Sequence, residues 1–289
     1  MLSNPLIIGK GGQLGNALAE LLPQANAIGR AELDLSLIEL IPETISSFKP
    51  SIVLNAAAYT AVDKAEEEEP LAHLINAEAP AVMAAFCAVK NIPFIHYSTD
   101  YVFDGSGDEP WSEDDATNPL SAYGRSKLEG EKNILATQAD AMVFRTSWVY
   151  DAHGKNFLNT MLRLAGEREE LSVVHDQIGC PTYAPHLAKA SLEAIENAAQ
   201  SARFPSGVYH LGGGGEAASW YDFAEAIFAA YEGELKIKQV KRILTRDYPT
   251  PATRPLNSRL NCSKAKNILG IEMPDWRDGL TECLKERNA

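Results

Sequence analysis

The sequence has few cysteines, and they are far apart. Cys87, Cys180, Cys262 and Cys283 are spread through 289 residues without a closely spaced pair, and the six histidines are dispersed as well. A secreted disulfide scaffold or a zinc site would need cysteines in clusters. We therefore expect reduced thiols, a cytoplasmic location and no bound metal.

Positive charge and long apolar runs are also scarce. The chain has 26 Lys and Arg against 39 Asp and Glu, a formal net charge of −13. Nucleic acids and anionic membranes select a concentrated positive surface, so neither is expected as a partner. The chain opens without a secretory signal pattern, and we expect no apolar run of the roughly 20 residues that span a bilayer. A small anionic ligand stays compatible with this charge.

What the chain does contain is an alternation of short apolar runs with longer amphipathic segments. Strands are predicted at 5–9, 51–58, 93–99, 141–150, 171–176 and 207–215. Helices are predicted at 16–22, 70–91, around 121–131, and at 156–169, 184–200 and 219–233. Strands that alternate with helices indicate a Rossmann-type α/β fold, a doubly wound parallel sheet with helices on both faces.

The alternation loosens after about residue 150, which predicts two domains. Residues 1–150, together with about 171–211, are expected to form an NADP-binding Rossmann domain. About 151–170 and 212–289 are expected to form a smaller C-terminal α/β domain that binds the substrate.

Three glycines separate the first predicted strand from the first helix. Gly9, Gly12 and Gly15 stand in "GKGGQLG", one residue away from the spacing of the dinucleotide fingerprint. Glycines there allow a tight turn and a close approach to a pyrophosphate, and the helix N-terminus supplies free N–H groups. This loop, with Gln13 and Leu14, predicts a dinucleotide site, and the alternative is a plain strand–helix turn.

The residue after the second strand distinguishes the two nicotinamide cofactors. An acidic residue there binds the ribose 2′-hydroxyl of NAD, whereas an arginine suits the 2′-phosphate of NADP. This chain has Arg30, which predicts NADPH. The alternative is a solvated loop arginine, so NADH use stays open. Asp34 is expected to cap a turn or to lie near the adenine.

A tyrosine and a lysine stand one helical turn apart in "YGRSK". Tyr123 and Lys127 should point from one face of their helix, and Thr99 ends the strand before it. Ligands of doubly wound sheets bind beyond the carboxyl ends of the strands, where these three side chains can converge. A cation beside a tyrosine lowers the tyrosine pKa, as proton transfer to a ketone requires. These residues alone predict a dinucleotide-dependent reductase or epimerase.

Stretches along almost the whole chain resemble, in the same order, those of the dTDP-4-dehydrorhamnose reductase family, in the extended short-chain dehydrogenase/reductase superfamily. They are "GKGGQLG", "NAAAYTAVDKAE", "STDYVFDG", "YGRSKLEGE", "FRTSWVY", "QIGCPTY", "YHLGG" and "RPLNSRL". The resemblance implies reduction of the 4-keto group of dTDP-4-dehydro-β-L-rhamnose by NADPH, giving dTDP-L-rhamnose. A reductase or epimerase for another nucleotide sugar is an alternative. So is an NADP-binding regulatory subunit of the methionine adenosyltransferase type.

The resemblance also implies roles for single residues. Tyr123 would donate the proton, Lys127 would bind the nicotinamide ribose and tune Tyr123, and Thr99 would contact the reacting oxygen. Further cofactor contacts would come from Asp34, Leu35, Ala56, Ala57, Ala58 and Tyr59. Substrate contacts would come from Asp100, Tyr101, Trp148, Asn156, Phe157, Arg254, Asn257 and Ser258. The alternatives are a core position for Trp148 and a structural one for Arg254.

Two positions depart from the family pattern. Ala17 stands where members with a Mg²⁺-bridged dimer have a glutamate, so that kind of metal contact is not expected. A monomer or a homodimer without metal is expected instead. Gly11 stands where threonine is common, which should loosen the loop and leave its amides in place.

Overall fold

The computed structural model describes residues 2–288, in which short strands and longer helices alternate. The strands are β1 (Pro5–Ile8), β2 (Asn26–Ile28), β3 (Ile52–Asn55), β4 (Phe94–Thr99), β5 (Ala141–Thr146), β6 (Val149–Tyr150), β7 (Glu170–Val174), β8 (Ile178–Gly179), β9 (Thr182–Tyr183), β10 (Gly207–His210), β11 (Ala218–Ser219) and β12 (Gln239–Ile243). The helices are α1 (Gln13–Leu21), α2 (Ile41–Phe48), α3 (Glu69–His73), α4 (Ala79–Lys90), α5 (Ala122–Ala136), α6 (Phe157–Glu167), α7 (Ala184–Ala199), α8 (Trp220–Ala230) and α9 (Trp276–Arg287). Short 3₁₀ turns and two π-helical turns, Leu74–Glu78 and Ala265–Leu269, complete the regular structure.

Six of these strands form one parallel sheet in the order β2-β1-β3-β4-β5-β10. The chain first moves from β1 to β2 at one edge and then crosses to β3 on the other side of β1. This reversal opens a crevice at the carboxyl ends of β1 and β3, where doubly wound sheets bind ligands. The predicted fold class is confirmed.

Helices cover both faces of the sheet and bury its apolar side chains. On one face, Leu18 of α1 and Leu187 of α7 belong to a core that also includes Leu54 of β3. On the other face, Ile45 of α2 and Met83 of α4 pack in a second core. Burial on both faces explains why β1 and β3 are continuous apolar runs.

The helical stretch from α3 through a π-helical turn to α4 agrees with the helix predicted at 70–91 but is more apolar than expected. Glu69–Lys90 spans 22 residues with a hydropathy of 1.4, enough by length and composition alone to cross a membrane, and 44% of that window is buried within the protein. Ala79, Met83 and Cys87 pack in the core of the sheet. The stretch therefore has the packing of a core helix.

The rest of the chain forms a smaller unit with its own core. Tyr150, Phe223, Trp276 and Leu280 pack together there, and the pairs β6–β9, β7–β12 and β8–β11 border it. The strand predicted at 171–176 corresponds to β7, which pairs with β12 and lies outside the large sheet. The expectation that residues 171–176 belong to the sheet of the Rossmann domain is therefore corrected. The division into two domains stays a prediction. The strand predicted at 141–150 is broken into β5 and β6 at Ser147 and Trp148.

Candidate active site

The glycine loop between β1 and α1 approaches the backbone that follows β3. Gly9 has a φ of +120°, and a Cβ added there would lie 2.8 Å from the backbone carbon of Ala56 and the nitrogen of Ala57. A Cβ on Gly15 would lie 2.1 Å from the carbonyl oxygen of Gly9. Only glycine fits these two positions, which gives the predicted loop its physical basis.

The start of α1 leaves backbone N–H groups available for an anion. Gly12 precedes the helix, and among the described residues no side chain caps it. The Gly11 N–H donates to Oδ1 of Asn16 at 2.9 Å, so Gly11 has a defined partner although threonine is absent. The side chain of Leu14 packs in the core, which restricts any ligand contact of this residue to its backbone. The arrangement fits a pyrophosphate.

A cavity of about 310 Å³ opens beside the loop. Predicted cofactor residues that line it are Gly9, Arg30, Asp34, Leu35, Ala57, Ala58 and Tyr59. Ile8, Gly29, Leu33, Thr60, Ala61 and Ile75 complete its wall. The structure therefore brings together residues from three separate predicted stretches at the place where the adenosine end of a dinucleotide would bind.

Arg30 lies at the rim of this cavity and is already paired. Its side chain is 80% exposed, and Nε donates to Oδ2 of Asp34 at 3.0 Å. Oδ1 of Asp34 accepts from the backbone N–H and the hydroxyl of Ser36, and these hydrogen bonds hold the pKa of Asp34 below its usual value. A 2′-phosphate would have to share Arg30 with Asp34.

Thr99, Tyr123 and Lys127 lie together where β4 meets the first turns of α5. The Ser121 hydroxyl accepts from the Gly124 N–H and begins the helix. A Cβ on Gly124 would lie 2.3 Å from the carbonyl oxygen of Tyr101, so glycine lets α5 approach this closely. The Thr99 side chain lies close enough to Tyr123 to favour the ionised form of the tyrosine.

The electrostatics of this trio differ from the expectation. Although Tyr123 keeps a partly exposed edge, burial raises its pKa to about 12, and the neighbouring Thr99 side chain only partly opposes this. Nζ of Lys127 donates to the carbonyl oxygen of Tyr97 at 2.6 Å and lies 3.0 Å from Nε2 of His96. The expected lowering of the Tyr123 pKa by Lys127 is therefore wrong for this structure. Burial lowers the pKa of Lys127 itself to about 8.

Asp100 adds a buried carboxyl beside Thr99. The Thr99 hydroxyl donates to its Oδ1 at 3.0 Å, whereas Oδ2 has no hydrogen-bond partner in the described part of the chain. Burial raises the pKa of Asp100 to about 6, and the neighbouring Ser258 and Thr99 side chains only partly oppose this. An unpartnered buried acceptor at this position suits a hydroxyl donor on a ligand.

An aromatic cluster lies at the join between the two units. Trp148 has a φ of +50°, and its ring stacks on Trp220 with centroids 3.6 Å apart. Phe157 contacts the same Trp220 at 4.5 Å. Trp148 is only half-buried, so one part of the indole stays outside the core. A bulky residue with positive φ is strained, and such strain is often found at ligand sites.

Three residues predicted to contact substrate have structural partners. Asn156 caps α6 and donates to Oε1 of Gln13 at 2.9 Å, which links α6 to the glycine loop. Asn257 is 2% exposed and donates to the carbonyl oxygen of Glu109 at 2.8 Å, so its amide is withdrawn from the cavity. Arg254 pairs with Asp63 at 2.7 Å, and its buried Nε has no partner among the described residues.

Sequence reasoning did not single out His96, Asn55, Trp220 or Asp63. A polar residue inside a buried strand is unusual, and this signal was present for His96 and Asn55. Trp220 and Asp63 carried no such signal, because their partners lie 72 and 191 residues away. In the described chain, no group of three or more His, Cys, Asp or Glu residues is arranged to hold a metal ion.

Comparison with known proteins agrees with this geometry. The family model for the RmlD substrate binding domain matches residues 4–289. The chain is 45% identical to a dTDP-4-dehydrorhamnose reductase of Escherichia coli over 293 residues, covering 98% of this chain and 97% of the relative. The chain belongs to this family.

A second relative and a solved structure extend the likeness. The dTDP-4-dehydrorhamnose reductase of Burkholderia thailandensis is 44% identical over 97% of this chain and 98% of its own length. The Bacillus anthracis member, solved in complex with NADP, superposes with a TM-score of 0.91 at 34% identity, over 99% of this chain and 100% of that one. The predicted membership is confirmed.

Proposed function

We propose that this protein reduces the 4-keto group of dTDP-4-dehydro-β-L-rhamnose to dTDP-L-rhamnose with NADPH. The observation that carries the proposal is the convergence of Thr99, Tyr123 and Asp100 at the end of β4, with Lys127 behind them. Near full-length relatives that bear the name of this reductase support the choice of substrate.

The groups for cofactor binding come mainly from backbone. The amides at the start of α1 would hold the pyrophosphate, and the cavity bounded by Arg30, Asp34 and Ala57 would hold the adenosine end. When bound, NADPH supplies the hydride. The protein's contribution is orientation and proton transfer.

Tyr123 is proposed to deliver the proton. As the carbonyl carbon gains a hydride, its oxygen gains negative charge and takes the hydroxyl proton of Tyr123. Thr99 lies beside Tyr123 and would hold the reacting oxygen next to its hydroxyl. Oδ2 of Asp100 would accept from a sugar hydroxyl, and the exposed part of Trp148 would face the sugar ring.

The test is an NADPH-oxidation assay over a small panel of 4-keto nucleotide sugars, with product configuration determined by NMR. We expect turnover with dTDP-4-dehydro-β-L-rhamnose and a rhamno-configured product. Turnover only with another base or another sugar would reassign the substrate. Absence of turnover across the panel would contradict the reductase.

We further propose that the protein works in the cytoplasm as a monomer or homodimer, without nucleic acid or membrane partners and without Mg²⁺. Light scattering of purified protein, with and without a chelator, tests the oligomeric state. A mass that changes on chelation would contradict metal independence.

A further inference from the structure

A buried polar chain lies behind Tyr123 and runs from Lys127 through His96 to Asn55. His96 and Asn55 are 0% exposed, and Lys127 is 1% exposed. Nζ of Lys127 lies 3.0 Å from Nε2 of His96, and Nδ1 of His96 lies 3.1 Å from Nδ2 of Asn55. The three residues come from α5, β4 and β3.

The orientation of the Asn55 amide determines which nitrogen of His96 carries the proton. The Ala57 N–H donates to Oδ1 of Asn55 at 3.2 Å, so the Asn55 NH₂ faces His96. Nδ1 of His96 must then accept, and in a neutral imidazole the proton is left on Nε2. Burial of the ring lowers the pKa of His96 well below its usual value, which keeps the ring neutral.

The Nε2–H of His96 therefore points at Nζ of Lys127. An ammonium group has three donors and no acceptor, so a charged Lys127 would place two donors against each other at 3.0 Å. A neutral amine offers a lone pair to His96 and still donates to the carbonyl oxygen of Tyr97 at 2.6 Å. Every group in the chain then has a suitable partner.

The other charged groups around Lys127 do not reverse this preference. Glu131, one turn further along α5, favours the ammonium form. Arg145 from β5 already pairs with that carboxylate at 2.7 Å, and Ser98 from β4 donates to it as well.

We propose that His96, oriented by Asn55, is a positioning residue that disfavours the ammonium form of Lys127 in the free protein and so sets the pH range over which Lys127 becomes charged. Its effect on turnover rests on the proposed reductase function. The titration of Lys127 does not, because it is a property of the protein alone.

The experiment is NMR titration of protein labelled with ¹³C at the lysine ε-carbons, with the Lys127 signal assigned from Lys127→Met. We expect a wild-type midpoint near pH 8. His96→Leu removes the opposing N–H and should raise the midpoint by about one pH unit. His96→Gln is the matched control, since its amide can accept from Asn55 and donate to Lys127, and it should keep the wild-type midpoint.

A second measurement tests the proposed role of His96 even if His96→Leu does not fold. The ¹⁵N shifts of His96 should show the Nε2–H tautomer in the wild-type protein. In Asn55→Asp, a carboxylate would accept from Nδ1, so the tautomer should change and the Lys127 midpoint should rise.

An Nδ1–H tautomer in the wild-type protein would overturn the inference. So would a folded His96→Leu with the wild-type midpoint, or a His96→Gln that shifts as far as His96→Leu. Absence of NADPH oxidation would instead contradict the proposed function and would not affect the conclusion from the Lys127 titration.

Discussion

At the glycine loop the groups offered to a ligand belong to the backbone, whereas beyond β4 they belong to side chains. Gly9, Gly12 and Gly15 lie within seven residues, and the amides they expose depend on the absence of side chains. At the other end, Thr99 and Asp100 at the end of β4 lie beside Tyr123, which comes from α5. The first region tolerates no added carbon, and the second depends on the chemistry of single functional groups.

The largest expected effect is at the side-chain end. Tyr123→Phe removes the proposed proton donor and should lower kcat about 10³-fold, because general acid catalysis contributes 10²–10⁴-fold. Steady-state NADPH oxidation measures kcat, and fluorescence titration should show unchanged NADPH affinity. Tyr231→Phe, in the other unit, is the control and should match the wild type. Full turnover by Tyr123→Phe would remove this residue from the mechanism.

The next effect is at the backbone end. Gly15→Ala would place a Cβ 2.1 Å from the Gly9 carbonyl oxygen. The loop must shift, so we expect a loss of about 2 kcal/mol in unfolding free energy and about tenfold weaker NADPH binding. Urea unfolding and NADPH titration measure the two.

Gly166→Ala is the matched control for Gly15→Ala. Gly166 lies in α6, and an added Cβ there would have no atom within 4 Å, so alanine should add about 0.5–1 kcal/mol through helix propensity. Wild-type NADPH affinity in Gly15→Ala would show that the loop adapts and would break the contrast between the two ends.

Arg30 is the side-chain contact proposed at the cofactor end. Arg30→Ala should raise KM for NADPH about tenfold and leave KM for NADH nearly unchanged, because only NADPH carries the 2′-phosphate. Arg163→Ala is the control, since Arg163 forms a similar exposed i,i+4 pair with Glu167. Equal effects of Arg30→Ala on both cofactors would contradict selection of the phosphate by Arg30.

The remaining effect concerns stability at Asp100. Its pKa is raised by burial from 3.8 to about 6, so the folded state disfavours the carboxylate, and stability should decrease as pH rises from about 4 to 6. Since one pKa unit corresponds to about 1.4 kcal/mol, Asp100→Asn should raise the unfolding free energy by about 2 kcal/mol more at pH 7.5 than at pH 4.

Asp104→Asn is the comparison variant, because the pKa of Asp104 is shifted in the opposite direction from that of Asp100. Hydrogen bonds, first from Ser106, lower the pKa of Asp104, so its carboxylate stabilises the fold above that pKa and the amide should not add stability at pH 7.5. A gain that persists at pH 4 in Asp100→Asn would contradict the assignment of the titration to Asp100.

Local patterns predicted the strands and helices well. They failed where the structure depends on contacts between residues that are far apart in the sequence. The helix at 184–200 appears as Ala184–Ala199, since its apolar spacing alone determines which face is buried. The strand at 171–176 exists, but apolar content could not show that β7 pairs with β12. The strand at 141–150 is interrupted because Trp148 turns to positive φ to stack on Trp220.

At the site, the sequence predicted the residues that we propose to react, and the tertiary structure determined their environment. Spacing placed Tyr123 and Lys127 on one helical face, but it could not show that the Lys127 amine faces His96 and Tyr97. It could not show either that burial raises the Tyr123 pKa or that the Asn257 amide binds a loop carbonyl. Desolvation and hydrogen bonding depend on atoms from the whole fold.

The sequence by itself determined the alternating fold, the glycine loop and the identity of the trio, because each follows from residues within one turn or one strand–helix unit. The tertiary structure alone decided the pairing of Arg30 with Asp34, the stacking of Trp148 on Trp220 and the contact of Lys127 with the neutral ring of His96. These depend on distances between side chains, which only the packed chain sets.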